Sequence, residues 1–397
     1  MAVLFRVQHL NHSGGVVSTH TPVGGSLHWA FKANDMGDIS YTLPLSDTAI
    51  GRDSFAPYFT DWRLQQKVDT NAWESIAAGI HVPVNMVSDE DTVHVAGKDW
   101  AHWLEQPPWF PDFSDLNFSP KVFKSAFKDY NEPLSRTEPS GFVNTPIAKA
   151  WYPPAIQQDV IQWLVENLRR GTDYVNITTA FNGTGWSEVT DLKIIIFQDE
   201  TKILDHINEI ASMDAPYGFD WTMNWNKQME FFGPRKQVAT SPTPIWTINE
   251  TMILNPVDML DWTNNGPIGT VIMGLGPASP GIWRIKKDQQ SIDRYRLWNV
   301  LERVGGPFLF KTKGQIRYLT DGLQYMAPQK DLKVTIRPED IDPFTGFKNQ
   351  IGEVVHISWD FPPYHQIDAY YWIVGQDFSS DAPGNFKCDL SLQQIYG

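Results

Sequence analysis

Ten histidines, one cysteine and 46 acidic residues are the side chains from which this chain could build a catalytic or metal site. The histidines are scattered. His9 and His12 stand three apart without a matching acid, and no His-Glu-x-x-His helix occurs. A Gly-x-Ser-x-Gly nucleophile turn is absent. Cys388 lies in the alternating run Phe386-Lys387-Cys388-Asp389-Leu390, which predicts a buried structural thiol. Glycoside hydrolysis needs two carboxylates at a defined separation. Asp360, Asp368 and Asp377 are near in sequence, and Asp220 and Glu230 could face each other across a hairpin. Sequence does not set those distances, and so many acids make coincidences inevitable. Asp89-Glu90-Asp91 lacks the alternate spacing of a calcium loop and reads as a solvated turn. The glycine-rich stretch from Gly274 to Gly281 has no Lys-Ser/Thr after it and is no phosphate loop. No catalytic, cofactor-binding or metal-ligating residue is therefore assigned, no cofactor is expected, and the chain reads as a non-enzyme.

Composition leaves two non-catalytic classes open. The chain has 397 residues, 42% hydrophobic and 20% charged, which suits a folded protein of two to four domains. Seventeen tryptophans exceed the needs of one core. Their large apolar faces and single N–H donors fit either subunit interfaces or sugar-stacking platforms. The net charge of −14 and the lack of a Lys/Arg run argue against grasping nucleic acid through its phosphates. An acidic surface would instead let DNA pass without sticking. The opening MAVLFRVQHLNHSGG has too short an apolar stretch for a signal peptide, and no apolar run could cross a membrane, so synthesis in a cytoplasm is expected.

The elements that must position these residues are mostly strands. Val3, Phe5 and Val7 alternate, and Ser26 to Phe31 and Ile39 to Leu43 read as strands around the turn Asn34-Asp35-Met36-Gly37-Asp38. Ile76 to Val87 predicts a strand pair interrupted at Pro83, Thr92 to Ala96 a strand, and Asp99 to Glu105 a short helix. Nine prolines and many aromatics between 106 and 155 predict an ordered arm or long loop. Asp159 to Arg170 has one apolar face and predicts a helix ended by Gly171. Leu192 to Phe197 follows as an apolar strand. Ile203, Leu204, Ile207, Ile210 and Ala211 then recur at helical spacing, and Phe219, Trp221 and Met223 alternate before a second strand from Met229 to Phe232. Ile245 to Ile248, Thr270 to Met273, Leu332 to Ile336, Val354 to Trp359, Tyr370 to Asp377 and Phe386 to Gln393 predict strands, and Arg294 to Val304 a helix. The segments are thus 1–105 (β-rich), 106–155 (arm), 156–237 (α+β) and 238–397 (β-rich).

Four of these segments, in this order, resemble a known family. The stretch SLHWAFKANDMGDISYTLPLSD resembles the opening of minor tail proteins from actinobacteriophages, with Trp29, Asn34, Gly37, Leu43 and Pro44 at the matching places. DTVHVAGKDWAHWLEQ resembles their next strand, Gly-x-Asp turn and helix, through Gly97, Asp99 and Leu104. The helix followed by a Trp-bearing hairpin at 203–234, and the closing stretch from Glu353 to Gln394, are similar to the baseplate-hub type of siphophage minor tail protein. The resemblance implies a mainly β fold: tail-tube-like β-barrel domains at 1–105 and 238–397 with a small α+β domain between them. It implies a homotrimer in which two barrels per subunit mimic a six-fold tube end. It also implies a structural role at the virion tail tip, with DNA only in transit through the lumen. The implied partners are other tail proteins (distal tail protein, tape measure, tail fibres or other minor tail proteins) and the host cell surface. Trp29, Trp221, Phe232 and Trp359 are the aromatics expected to anchor packing or interfaces. A carbohydrate- or receptor-binding module on the tail tip is the alternative, and it requires exposed tryptophans.

Overall fold

The computed structural model describes residues 2–11, 13–47, 60–82, 91–105, 149–151, 157–166, 176–182, 195–197, 202–212, 219–232, 243–254, 271–275, 283–287, 289, 292–293, 300–304, 331–361, 365–382 and 385–395. The first seven strands are β1 (Val3–Asn11), β2 (Val16–His20), β3 (His28–Lys32), β4 (Asp38–Pro44), β5 (Thr60–Val68), β6 (Glu74–His81) and β7 (Thr92–Asp99), followed by a 3-10 helix at Trp100–Glu105. The middle of the chain holds β8 (Lys149–Trp151), α1 (Gln157–Glu166), β9 (Thr178–Asn182), β10 (Ile195–Phe197), α2 (Ile203–Ala211), β11 (Asp220–Met223) and β12 (Gln228–Phe232). The remainder is again β: β13 (Trp246–Asn249), β14 (Val271–Leu275), β15 (Trp283–Lys287), β16 (Val300–Val304), β17 (Asp331–Ile336), β18 (Val354–Phe361), β19 (His365–Ala382) and β20 (Asn385–Gln394). The fold is mainly β with a small helical part. No helix among the described residues is long and apolar enough to cross a membrane.

Twelve strands form one sheet that runs β13-β18-β19-β3-β4-β7-β6-β5-β1-β2, with β20 beside β19 and β17 beside β20. The two ends of the chain therefore share a sheet, and β19 is the seam. One edge of this 18-residue strand pairs with β18 through His365–Trp372 and then with β3 through Gly375–Ser379, while its other edge pairs with β20. A bulge between Ile373 and Gly375 adds one residue to the alternation. Ile367, Tyr371 and Ile373 are buried before it, and Gln376, Phe378 and Ser380 after it. The shift turns Ile373 and Phe378 into the same core although they are an odd number of residues apart.

That core is continuous from the N-terminal to the C-terminal strands. At its centre Trp29 stacks on Phe378 with ring centroids 4.7 Å apart, and Phe5, Phe347 and Phe386 lie against the pair at 4.6–6.1 Å from one another or from Trp29. A second large side chain, Trp62, donates its indole N–H to the carbonyls of Ile80 and Lys98. A Cβ at position 97 would stand 2.2 Å from that indole nitrogen, so Gly97 makes room for Trp62. The expected Gly-x-Asp turn is instead the end of strand β7, paired with β4 and β6 on its two edges.

Smaller sheets complete the molecule. β8 and β10 pair antiparallel, β14 lies between antiparallel β15 and parallel β16, and the β11–β12 hairpin adds β9 in parallel. A predicted helix is also corrected here. Val300–Val304, read from its spacing as the end of a helix, is strand β16 in register with Val271–Leu275. Val300, Leu301 and Val304 satisfy helical spacing, but so short an apolar run does not distinguish the two periods, and β-branched valines favour the ladder. Residues 294–299 of that expected helix lie outside the described residues, as do residues 83–90 with Pro83, the end of the helix beyond Glu166, and residues 106–148 and 152–155 of the expected arm; residues 149–151 of that arm are strand β8.

The stacked pair at the seam sets a stability expectation. Trp29→Ala should lower the unfolding free energy by about 3–5 kcal/mol, and Trp29→Phe by clearly less, because Phe retains much of the ring contact. Equilibrium denaturant unfolding of the two variants beside the parent measures both, and an alanine cost below about 1 kcal/mol would show that the seam does not rest on this ring.

Candidate functional site

The aromatic hairpin β11–β12 is where the elements of the chain converge. Its local sequence dictates its form. Phe219, Trp221, Met223, Met229 and Phe231 are all buried, and the turn closes through Asn224 N–H to Gln228 C=O, with Lys227 at a φ of 62°. The parallel partner β9 brings Phe181 onto Phe231, stacked at 5.0 Å. Helix α2 covers the same side. Ile203, Leu204, Ile207, Ile210 and Ala211 are buried as their spacing predicts, and Asn208 accepts from the indole N–H of Trp221 at 2.8 Å.

Three separate segments clamp this hairpin to the large sheet. The first is the β3–β4 turn. Asn34 adopts a left-handed φ of 58°, which Asn tolerates better than most residues. Its backbone N–H donates to the carbonyl of Trp221, its Oδ1 accepts from the Trp221 N–H at 3.0 Å, and its Nδ2 donates to Asp220. The second is the 3-10 helix after β7. Trp100 donates its indole N–H to the Trp225 carbonyl at 3.1 Å, Lys227 Nζ sits 4.3 Å above the Trp100 ring, and Glu105 receives Lys202 at 2.9 Å. The third is the loop before β18. Asn349 Nδ2 lies within 3.1–3.3 Å of Thr222 Oγ1, the Met223 carbonyl and Asn224 Oδ1. Gly352, at a φ of 86°, lies against the Phe232 ring, where a Cβ would come within 2.7 Å.

The β3–β4 turn and the 3-10 helix are themselves joined by Asp99. Its carboxylate accepts from the Gly37 N–H at 2.6 Å and the Ala101 N–H at 2.9 Å. Burial pushes the carboxyl up to about 7, and the two backbone donors oppose that shift.

Four of the five carboxylates considered for catalysis have a structural partner, and the fifth, Asp360, is exposed on β18. In the hairpin register Asp220 opposes Phe232 and Glu230 opposes Thr222. Asp220 accepts from Asn34, and Glu230 from Asn224; burial raises the pKa of Glu230. Asp368 pairs with His356 at 2.6 Å, and Asp377 with His28 at 2.7 Å. Cys388 is fully buried, which pushes its thiol well up. Among the described residues no cluster of His, Cys, Asp and Glu could hold a metal ion; His9 is buried, and His12 lies outside them. Trp29, Trp221 and Trp359 are buried, and Phe232 is half-buried against the core. Trp221 and Phe232 belong to the clamped hairpin, Trp29 to the seam, and Trp359 to β18. Asn349 escaped the sequence reading because a lone Asn in a polar loop carries no periodic signal. Asn34 was visible as a turn residue, but its reach across 187 residues to Trp221 was not.

Removing the clamps should loosen the hairpin before the sheet. Asn34→Gly keeps the turn conformation and deletes the side-chain bonds, and Asn349→Ala deletes the third clamp. Each should raise amide exchange in residues 219–232 by about 5–30-fold, corresponding to about 1–2 kcal/mol of local stability. Residues 28–32 should change less, and mass-resolved hydrogen exchange measures both segments.

No family model matches the chain, and no curated protein matches it in sequence. Its fold is nonetheless that of solved tail proteins. A tail protein from Neisseria meningitidis MC58 aligns over 100% of this chain and 98% of its own, with a TM-score of 0.58 and 12% identity. The 43 kDa tail protein of prophage MuSo2 from Shewanella oneidensis aligns over 98% of both chains, with a TM-score of 0.56 and 12% identity. The chain thus has, over its whole given length, the fold found in these two tail proteins.

Proposed function

We propose that this protein is a structural component of a phage tail tip, of the baseplate-hub type, that closes or extends the tail tube as a ring and lets DNA through during ejection. The whole-length likeness to two tail proteins carries this reading. The sequence resemblance to minor tail proteins supports it independently, through the Trp29 strand, the Asn34 turn, the Gly97–Asp99 segment and the hairpin of Trp221. In the structure those motifs are joined: Gly97 seats Trp62, Asp99 holds the Gly37 turn, and Asn34 clamps the hairpin.

The ring is a homotrimer in this reading, with heterologous contacts that close after three copies. Its neighbours are other tail proteins. Its net charge of −14 suits a wall past which DNA slides, because like charges repel. The carbohydrate-binding alternative draws less support from the side chains. Among the described residues, Trp29, Trp62, Trp100, Trp221 and Trp359 are buried in packing, and Trp225 is the exposed tryptophan at 43%.

Light scattering on the purified protein tests the ring. A particle about three times the 45.2 kDa chain mass is the expected result. A stable dimer or hexamer would overturn the three-fold reading. A monomer would shift the test to the assembled tail, where three copies per tip by quantitative mass spectrometry is the expected count.

A further inference from the structure

Three imidazoles lie against one another inside the N-terminal part of the sheet. His9 on β1, His20 on β2 and His81 on β6 are at most 2% exposed. The His9 ring centroid is 4.7 Å from that of His20 and 4.9 Å from that of His81. Tyr41 on β4 stands between two of them, with its hydroxyl 2.7 Å from His9 Nε2 and 3.4 Å from His81 Nε2. Thr60 on β5 lies 2.9 Å from His81 Nδ1 by its hydroxyl and 3.1 Å by its carbonyl. His20 meets Asp47 at 2.6 Å and Ser18 at 2.8 Å. His94 on β7 bonds Thr42, and Asp61 follows Thr60 on β5; by strand alternation both belong to the opposite face from the cluster.

Both Thr60 oxygens near His81 Nδ1 can accept when that nitrogen carries the proton, and the tautomers are assigned on that basis. His81 Nδ1–H donates to the Thr60 carbonyl, which leaves Nε2 to accept from the Tyr41 hydroxyl. Tyr41 oxygen then accepts from His9 Nε2–H. Burial holds Tyr41 as a neutral phenol by raising its pKa, and pulls His81 down to about 4. A proton on His81 Nε2 would aim two N–H donors at one phenol oxygen and strip the phenol hydrogen of its acceptor. His20 meets the Asp47 carboxylate at 2.6 Å, whereas an imidazolium at His9 or His81 would stand within 5 Å of another buried imidazole.

We propose that this cluster is an acid-operated latch on β2: when its buried imidazoles are protonated, β2 leaves the sheet and bares the outer edge of β1, while the strands around Trp29 stay folded. β2 is the element that yields because its hold is local. Among the described residues it pairs with β1 alone, and its register covers four residues of that strand. Val16 and Val17 are each 54% exposed, and His20 is the buried residue of the strand. β1, β5, β6 and β4 each have a strand on both sides. The seam cluster of Trp29, Phe378, Phe5, Phe347 and Phe386 contains no ionisable group. The bared β1 edge would present unpaired N–H and C=O groups, a surface suited to adding a strand from another chain.

The direction of the pH effect follows from the lowered pKa. The neutral His81 contributes stability that is fully present above its ordinary value of 6.5 and is lost as pH falls through about 4. Asp99 acts with the opposite sign, since its raised pKa makes it destabilising as pH rises through about 7. A global melting curve would mix the two, so a local readout is needed.

Hydrogen exchange of the full chain, followed by mass spectrometry from about pH 7 to about pH 4 and corrected for the intrinsic pH dependence of exchange, supplies it. Residues 16–20 should lose protection by about tenfold or more across that window, while residues 28–32 and 375–379 keep theirs. His9→Gln, which can still donate to Tyr41, removes one proton site and should move the transition to lower pH. Full protection of β2 at about pH 4, loss of β2 and β3 together, or an unmoved transition in His9→Gln would each overturn the latch.

Discussion

The pairing of β3 with β19 is the constraint from which the rest of the structure follows. It joins residues 349 positions apart, as the His28–Asp377 contact shows, and it makes one sheet of the two ends of the chain. Closing so long a loop costs entropy that grows only slowly with length, and the contact must repay it at once. The stacking of Trp29 on Phe378 and the burial of Phe5, Phe347 and Phe386 around them supply that repayment at a single point. The bulge at Gly375 is equally necessary. Without it, the half of β19 that faces β18 and the half that faces β3 would present opposite faces to the core.

From β3 the constraint passes directly to the hairpin. The turn that ends β3 carries Asn34, whose amide takes the place of a strand partner for residues 220 and 221. Apolar burial alone would hold the hairpin near the sheet without fixing its orientation, because the hydrophobic effect is non-directional. Asn34, Asn349 and the Trp100 indole supply direction, each through bonds that would be left unsatisfied in any shifted position. Gly352 adds a steric condition, since the Phe232 ring occupies the volume of a side chain there. A hairpin held in this way behaves as part of the sheet rather than as a separate lobe.

Much of this was legible in the sequence where period and packing agree. The alternation of Val3, Phe5 and Val7, the spacing of Ile203 through Ala211, and the alternation of Phe219, Trp221 and Met223 each gave the right element, because one face of each is buried. The same alternation, carried one step past Val7, would have placed His9 on the core side. Pairing was not legible. Nothing in either segment announces that His28–Lys32 lies beside Gly375–Ser379, since ladder bonds are made by backbone groups common to all residues. Val300–Val304 failed for the opposite reason: its side chains fit two periods, and the neighbouring β14 decided between them.

Identity of 12% with the two tail proteins, over essentially their whole length, means that the shared fold rests on few shared side chains. That is intelligible if the fold is specified by pattern. A core face accepts many apolar combinations as long as volume and alternation are kept. The positions with less freedom are those where geometry excludes alternatives: Gly97 under the Trp62 indole, Gly37 between the Ala30 carbonyl and Asp99, and Asn34 at positive φ with three bonds to the hairpin. These lie at joints between elements rather than within strands. The polar and steric conditions that fix how the elements meet thus gather at the joints, while the core faces are held by pattern alone.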